Sequence, residues 1–151
     1  MIKKLSVVAA AFTMVLAPLA GVSSAAGLPC SGGYACDDKD PGPVSWDKVM
    51  TDDRALDKPC GSVELRSGKK DGKWYAWARV NVAGGCYGYE AWIDRKGPNG
   101  TIEHVLGYCT VNDIQGQNFG NMYYWPDGVQ IRAGFKHPNE GWDKSGVTSW
   151  H

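Results

Sequence analysis

Apolar and polar residues alternate with a period of two from Gly61 onward, and this spacing places successive side chains on opposite faces of a β-strand. The alternation is clearest after the turn at Gly68–Gly72. One face there carries apolar and mostly small side chains: Trp74, Ala76, Ala78, Val80 and Val82. The other face carries aromatic and polar or charged side chains: Tyr75, Trp77, Arg79 and Asn81. The pattern predicts an all-β fold, a small antiparallel sandwich or barrel.

Glycine, proline, asparagine and aspartate residues divide the chain into short segments. Strands are predicted around Val63–Leu65, Trp74–Val82, Cys86–Asp94, Thr101–Thr110, Phe119–Trp125 and Val129–Phe135, with Val147–His151 as a candidate closing strand. Asn112–Asn118 is predicted to be a loop. Residues 27–60 are predicted to form an irregular arm rich in Gly, Pro and Asp, which lies over the β domain of residues 61–151 and forms one globular unit with it.

The first 26 residues have the pattern of a secretory signal peptide. Two lysines precede an uncharged run of about 16 residues, shorter than the roughly 20 that a membrane span needs, and small residues follow at the positions a signal peptidase reads. Cleavage is predicted after Ala26, with Ala25 as the alternative. We therefore expect a secreted, extracellular protein without membrane association after cleavage.

Charge excludes one class of partner. The chain has 16 basic and 16 acidic residues, and removing Lys3 and Lys4 with the leader leaves a slightly acidic protein. Nucleic acid requires a basic face, so it is not an expected partner. We expect a monomer without a cofactor, whose partner is an extracellular glycan or a protein.

The five cysteines all follow the leader, where an oxidising compartment favours disulfides. Cys30 and Cys36 enclose five residues, two of them glycines, which permits a tight ring. If the Gly97–Gly100 turn pairs Lys96 with Thr101, then Gly88 lies opposite Cys109 and Cys86 lies diagonal to it. A bulge or a two-residue shift would allow a Cys86–Cys109 bridge. Cys60 is then unpaired, an alternative partner of Cys30 or Cys36, or available to a second chain.

Aromatic residues are the predicted ligand-binding residues, because tryptophan and tyrosine contribute most to binding surfaces. If they are exposed, they would form a stacking platform for sugars: Tyr75, Trp77, Tyr123, Tyr124 and Trp125. The alternative is that they are core residues. A second alternative is a secreted enzyme inhibitor that presents a rigid loop, either Cys30–Cys36 or Asn112–Asn118.

A small secreted hydrolase is the remaining alternative. It would need an acid-base pair between a histidine and Glu64, Glu90 or Glu103 on a neighbouring strand. The three histidines, His104, His137 and His151, have no metal-ligand spacing. No nucleophile or phosphate-binding motif is present. We therefore assign no catalytic residues and no metal, and favour a non-catalytic binding protein.

Two regions carry short motifs. The first is Cys30 and Cys36 followed by Lys39-Asp40-Pro41; the second contains Val63-Glu64-Leu65-Arg66-Ser67 and Ala76-Trp77-Ala78-Arg79-Val80. These motifs resemble small secreted actinobacterial proteins of domain of unknown function family 2690. The resemblance implies export, small size and a β fold, and brings no activity or catalytic residues. Cys60, Cys86 and Cys109 depart from the pattern of that family, so no disulfide pairing is carried over.

Overall fold

The structure is a computed structural model that describes residues 26–57, 61–82, 88–110, 116–137, 139 and 146–151. The predicted signal peptide, apart from Ala26, lies outside these residues, as do Cys60 and Cys86. Nothing in the described part of the chain is a helix long and apolar enough to cross a membrane.

The described residues form two antiparallel sheets, which confirms the all-β prediction. Their strands are β1 (Lys48–Asp57), β2 (Gly61–Lys70), β3 (Lys73–Val82), β4 (Glu90–Lys96), β5 (Ile102–Thr110), β6 (Gly116–Phe119), β7 (Tyr123–Trp125), β8 (Gln130–Lys136) and β9 (Gly146–Val147). The first sheet has the order β1-β2-β3, and both β6 and β7 pair with β3. The second sheet has the order β5-β4-β8-β9.

The core lies between the two sheets. Its first half is the small apolar face of the β2–β3 hairpin, in which Val63 pairs with Val80 and Leu65 with Ala78. The second half comes from β4 and β8: Ala91, Ile93, Ile131, Ala133 and Phe135, all fully buried. Each strand supplies alternate residues, as the period of two requires, so the packed sheets form a β-sandwich.

The outer face of the first sheet is covered by the N-terminal arm. A 3-10 helix at Gly33–Cys36 and the segment around Trp46 pack on the aromatic face of β3. The predicted Cys30–Cys36 disulfide is confirmed, with a Cα–Cα distance of 5.2 Å. Gly68 allows the closest approach, because an added Cβ there would lie 2.6 Å from two ring carbons of Trp46.

The prediction that residues 27–60 are irregular is wrong for Lys48–Asp57, which form β1. This strand pairs with β2 along its length, but its register shifts between Thr51 and Asp53. The extra residue breaks the period of two, so the sequence shows no alternation there. Pairing with β2 supplies the strand structure that the local pattern does not predict.

The predicted register of β4 and β5 is also wrong. Lys96 pairs with Ile102 instead of Thr101. The register then shifts twice more along the strands, so that Ala91 pairs with Cys109. Cys109 therefore faces Ala91 instead of Gly88. Since Cys86 lies outside the described residues, the predicted Cys86–Cys109 bridge stays a prediction.

The predicted loop and strand between residues 112 and 125 need a further correction. Residues 112–115 of the predicted loop lie outside the described residues, and its remainder is wrong because Gly116–Phe119 form β6. The predicted strand Phe119–Trp125 is divided between the end of β6 and β7. Both pair with β3, at opposite ends of its ten residues. Between them the amide of Gly120 donates a hydrogen bond to the carbonyl of Ala78 over 3.0 Å.

Candidate functional site

Two tryptophans form a pair at one end of the sandwich. Trp74 of β3 lies directly opposite Trp125 of β7. Trp74 follows a two-residue turn at Asp71 and Gly72, both with positive φ, the conformation that tight hairpin turns require. Because Trp74 alternates with the core residue Ala76, its ring lies on the inner side of the first sheet.

The turn after β7 fixes the ring of Trp125. Its Nε1 donates a hydrogen bond of 2.7 Å to the carbonyl oxygen of Val129. Gly128, with a φ of 76°, completes this turn. The indole thus lies against the Pro126–Val129 segment, and this hydrogen bond fixes the orientation of the ring.

A pocket of about 360 Å³ opens beside this pair, within the range of about 300–1,000 Å³ that is usual for ligand sites. It is lined by Met50, Asp52, Ser67, Trp74, Trp125, Pro126, Asp127, Gly128 and Val129. Residues from β1, β2, β3, β7 and the following turn therefore converge on one cavity. Half-buried indole rings supply its apolar surface and two aspartates supply charge.

Two buried polar atoms in this pocket have no hydrogen-bond partner in the described protein. They are Oγ of Ser67, a fully buried residue, and Oδ2 of Asp52. An unsatisfied buried group costs about 1–3 kcal/mol, so native proteins contain few of them. A hydroxyl can donate and accept, and a carboxylate accepts two or more hydrogen bonds. A ligand hydroxyl or a water molecule that reached these buried atoms would satisfy them.

Two lysines flank the pocket. The ammonium groups of Lys48 and Lys69 each lie 5.7 Å from the centre of the Trp74 ring. They occupy cation–π positions, and their charges offset those of Asp52 and Asp127 in the pocket lining. A pocket without net charge suits a neutral polar molecule with an apolar face.

Three of the five predicted ligand-binding residues are buried. The exposed fraction is 0% for Tyr75 and 6% for both Trp77 and Tyr123. The Tyr75 hydroxyl accepts a hydrogen bond of 2.9 Å from the amide of Gly33, and the ring of Trp77 stacks on Trp46 at 5.3 Å. The arm covers these rings, so they do not form an open platform.

The other two predicted residues lie apart. Tyr124 is half-buried and packs edge-on against Tyr34, with ring centres 5.1 Å apart. Trp125 alone of the five lines the tryptophan pocket. Sequence reasoning missed its partner Trp74 because the residue alternates with core alanines. The available signal was its position in the strand. Trp74 is the second residue of β3, next to the hairpin turn, where a strand extends beyond the core.

The carboxylates of the hydrolase alternative are paired with cations. Glu103 accepts a hydrogen bond of 2.7 Å from Arg95, Glu90 forms an ion pair with Lys136 at 2.5 Å, and Glu64 contacts arginines. The histidine–carboxylate contacts among the described residues use aspartates instead: in the shorter one, Nδ1 of His104 lies 3.2 Å from Oδ1 of Asp94.

Asp94 is buried and also accepts a hydrogen bond of 2.8 Å from Arg132, so its charge is already balanced, while His104 is exposed. His151 contacts Asp53 at 3.4 Å. Within the described ranges, no group of three or more His, Cys, Asp or Glu side chains could hold a metal ion.

No protein-family model matches this chain, and no curated protein or solved structure matches it. The family resemblance of the Cys30–Cys36 and Val63–Ser67 motifs stays a prediction.

Proposed function

We propose that this protein is a secreted, non-catalytic glycan-binding protein whose binding site is the pocket between Trp74 and Trp125. The observation that carries the proposal is the tryptophan pair beside two unsatisfied polar atoms, Ser67 Oγ and Asp52 Oδ2. A pyranose ring has one apolar C–H face and a rim of hydroxyl groups. The indoles match the face, and the hydroxyl and carboxylate match the rim.

The chemistry of the pocket also favours a neutral sugar over other small ligands. A purely apolar ligand would leave Ser67 and Asp52 unsatisfied. A charged ligand would gain no net attraction, because the lysines over the Trp74 ring offset the two aspartates of the lining. An uncharged hexose or N-acetylhexosamine at the end of an oligosaccharide satisfies both conditions.

The test is binding of the purified protein to a glycan array, followed by calorimetric titration with the best soluble oligosaccharide. Trp125→Ala should weaken binding at least about tenfold, because aromatic anchors dominate such sites. Trp74→Ala should have a similar effect. Tyr34→Ala, which removes an exposed ring outside the pocket, is the matched control and should bind as wild type does.

Two results would contradict the proposal. One is an array on which no neutral glycan binds above background. The other is a glycan whose affinity falls equally in Trp125→Ala and Tyr34→Ala, since that would place binding outside the pocket. Urea unfolding of each variant, with a cooperative transition like that of the wild type, confirms that the fold is retained.

A further inference from the structure

The outer face of the first sheet, opposite the tryptophan pocket, carries a cluster of arginines around one buried carboxylate. Glu64, 1% exposed, forms ion pairs with Arg54 of β1, Arg66 of β2 and Arg79 of β3. The Arg79 Nε atom lies 3.3 Å from Glu64 Oε2, and the Asn81 amide donates a hydrogen bond of 3.1 Å to Oε1. Asp52 also interacts electrostatically with Arg66, so three guanidinium groups and two carboxylates leave a local excess of one positive charge.

A donor of Arg66 is not used within the described residues. The Nε atom of Arg66 is buried and has no hydrogen-bond partner there, whereas Nε of Arg79 contacts Glu64 Oε2. Burial, and then the charge of Arg79, lower the pKa of Arg66. The cluster is thus under-neutralised, and an additional anion would stabilise it.

A pocket of about 200 Å³ adjoins the cluster. It is lined by Pro41, Gly42, Arg66, Trp77, Arg79 and Phe119. Phe119 is 47% exposed and borders the opening. Because Arg66 and Ser67 are adjacent on β2, they lie on opposite faces of the sheet, so this pocket is separate from the tryptophan pocket.

We propose that Arg66 and Arg79 bind a doubly charged oxyanion, a phosphate or sulfate group carried by a ligand, in the pocket beside Phe119. The planar guanidinium presents paired donors that match the oxygens of phosphate and sulfate. A dianion is attracted to this excess positive charge about twice as strongly as a monoanion such as a carboxylate at the same distance. The size of the pocket suits such a group.

The test is titration of the isotope-labelled chain with inorganic phosphate, sulfate and acetate at constant ionic strength. The side-chain N–H signals of Arg66 and Arg79 report binding directly in nuclear magnetic resonance spectra. Phosphate and sulfate should shift both signals saturably, and acetate should bind about tenfold more weakly or worse. Equal binding of acetate would overturn the preference for a dianion.

Substitutions distinguish anion binding at a defined site from nonspecific attraction by positive charge. Arg66→Gln should weaken sulfate binding at least about tenfold, and Arg66→Lys, which keeps the charge without the planar fork, should weaken it nearly as much. Lys96→Gln on the second sheet removes the same charge and should have no effect. Equal losses in Arg66→Gln and Lys96→Gln, or absence of saturable shifts in the wild-type protein, would overturn the proposal. Arg66→Gln should bind the glycan normally, so the two proposals fail independently.

Discussion

Replacing Ser67 by alanine should make the protein more stable and its glycan binding weaker. Ser67 is fully buried, and its hydroxyl has no hydrogen-bond partner among the residues described. Such a hydroxyl costs about 1–3 kcal/mol, while losing one oxygen forfeits only a few tenths of a kcal/mol of packing. We therefore expect Ser67→Ala to raise the free energy of unfolding by about 1 kcal/mol, which for a domain of this size raises Tm by about 3–5 °C.

The same substitution should weaken glycan binding about fivefold to tenfold, because a neutral hydrogen bond contributes about 0.5–1.5 kcal/mol. Urea unfolding and calorimetric titration of one preparation measure both effects. Thr148→Val is the matched control, since the Thr148 hydroxyl accepts a hydrogen bond of 3.0 Å from the Ala133 amide. Losing that bond should destabilise the fold by about 1–2 kcal/mol. If Ser67→Ala also destabilises the protein by 1 kcal/mol or so, the hydroxyl has a partner in the fold and the reasoning is refuted.

Two other predictions concern the fold. Gly68→Ala should lower the free energy of unfolding by about 1–3 kcal/mol, since its Cβ would overlap the Trp46 ring; Gly27→Ala, with no atom near its added Cβ, is the control in urea unfolding. Burial would raise the pKa of Asp53, but hydrogen bonds, that from the Ser149 amide first, outweigh burial and lower the pKa below 3.8. Asp53 therefore stabilises the fold above that value and loses its contribution as the pH falls through the lower folded-state pKa. Asp53→Asn should destabilise the protein at neutral pH, and a difference from wild type that persists undiminished in strong acid would contradict this.

The parts of the fold that follow from local pattern were predictable from the sequence. The alternation of Val63, Leu65, Ala76, Ala78 and Val80 identifies both the β2–β3 hairpin and the face that becomes the core. Cys30 and Cys36 are close enough in sequence for their pairing to be independent of topology. In each case the signal and the structure it produces lie within a few residues of one another.

Features that depend on distant partners were not predictable. β1 has no alternating pattern because its register shifts at Asp52, and its strand structure comes from β2. The aromatic face of β3 was identified correctly as a face, but the sequence does not show that the arm around Trp46 covers it. Tyr75 and Trp77 are therefore buried, although their spacing alone is compatible with an open platform.

Unequal strand lengths explain why Trp74 lies outside the core, although Ala76 and Ala78 on the same face of β3 belong to it. β2 and β3 have ten residues each, whereas β4 and β8 have seven. At about 3.3 Å per residue the first sheet is longer by roughly 10 Å. Val129, the residue before β8, lines the pocket together with Trp74, so the second sheet ends there. The inner face of the first sheet therefore continues beyond β4 and β8, and Trp74 lines a pocket there instead of packing in the core.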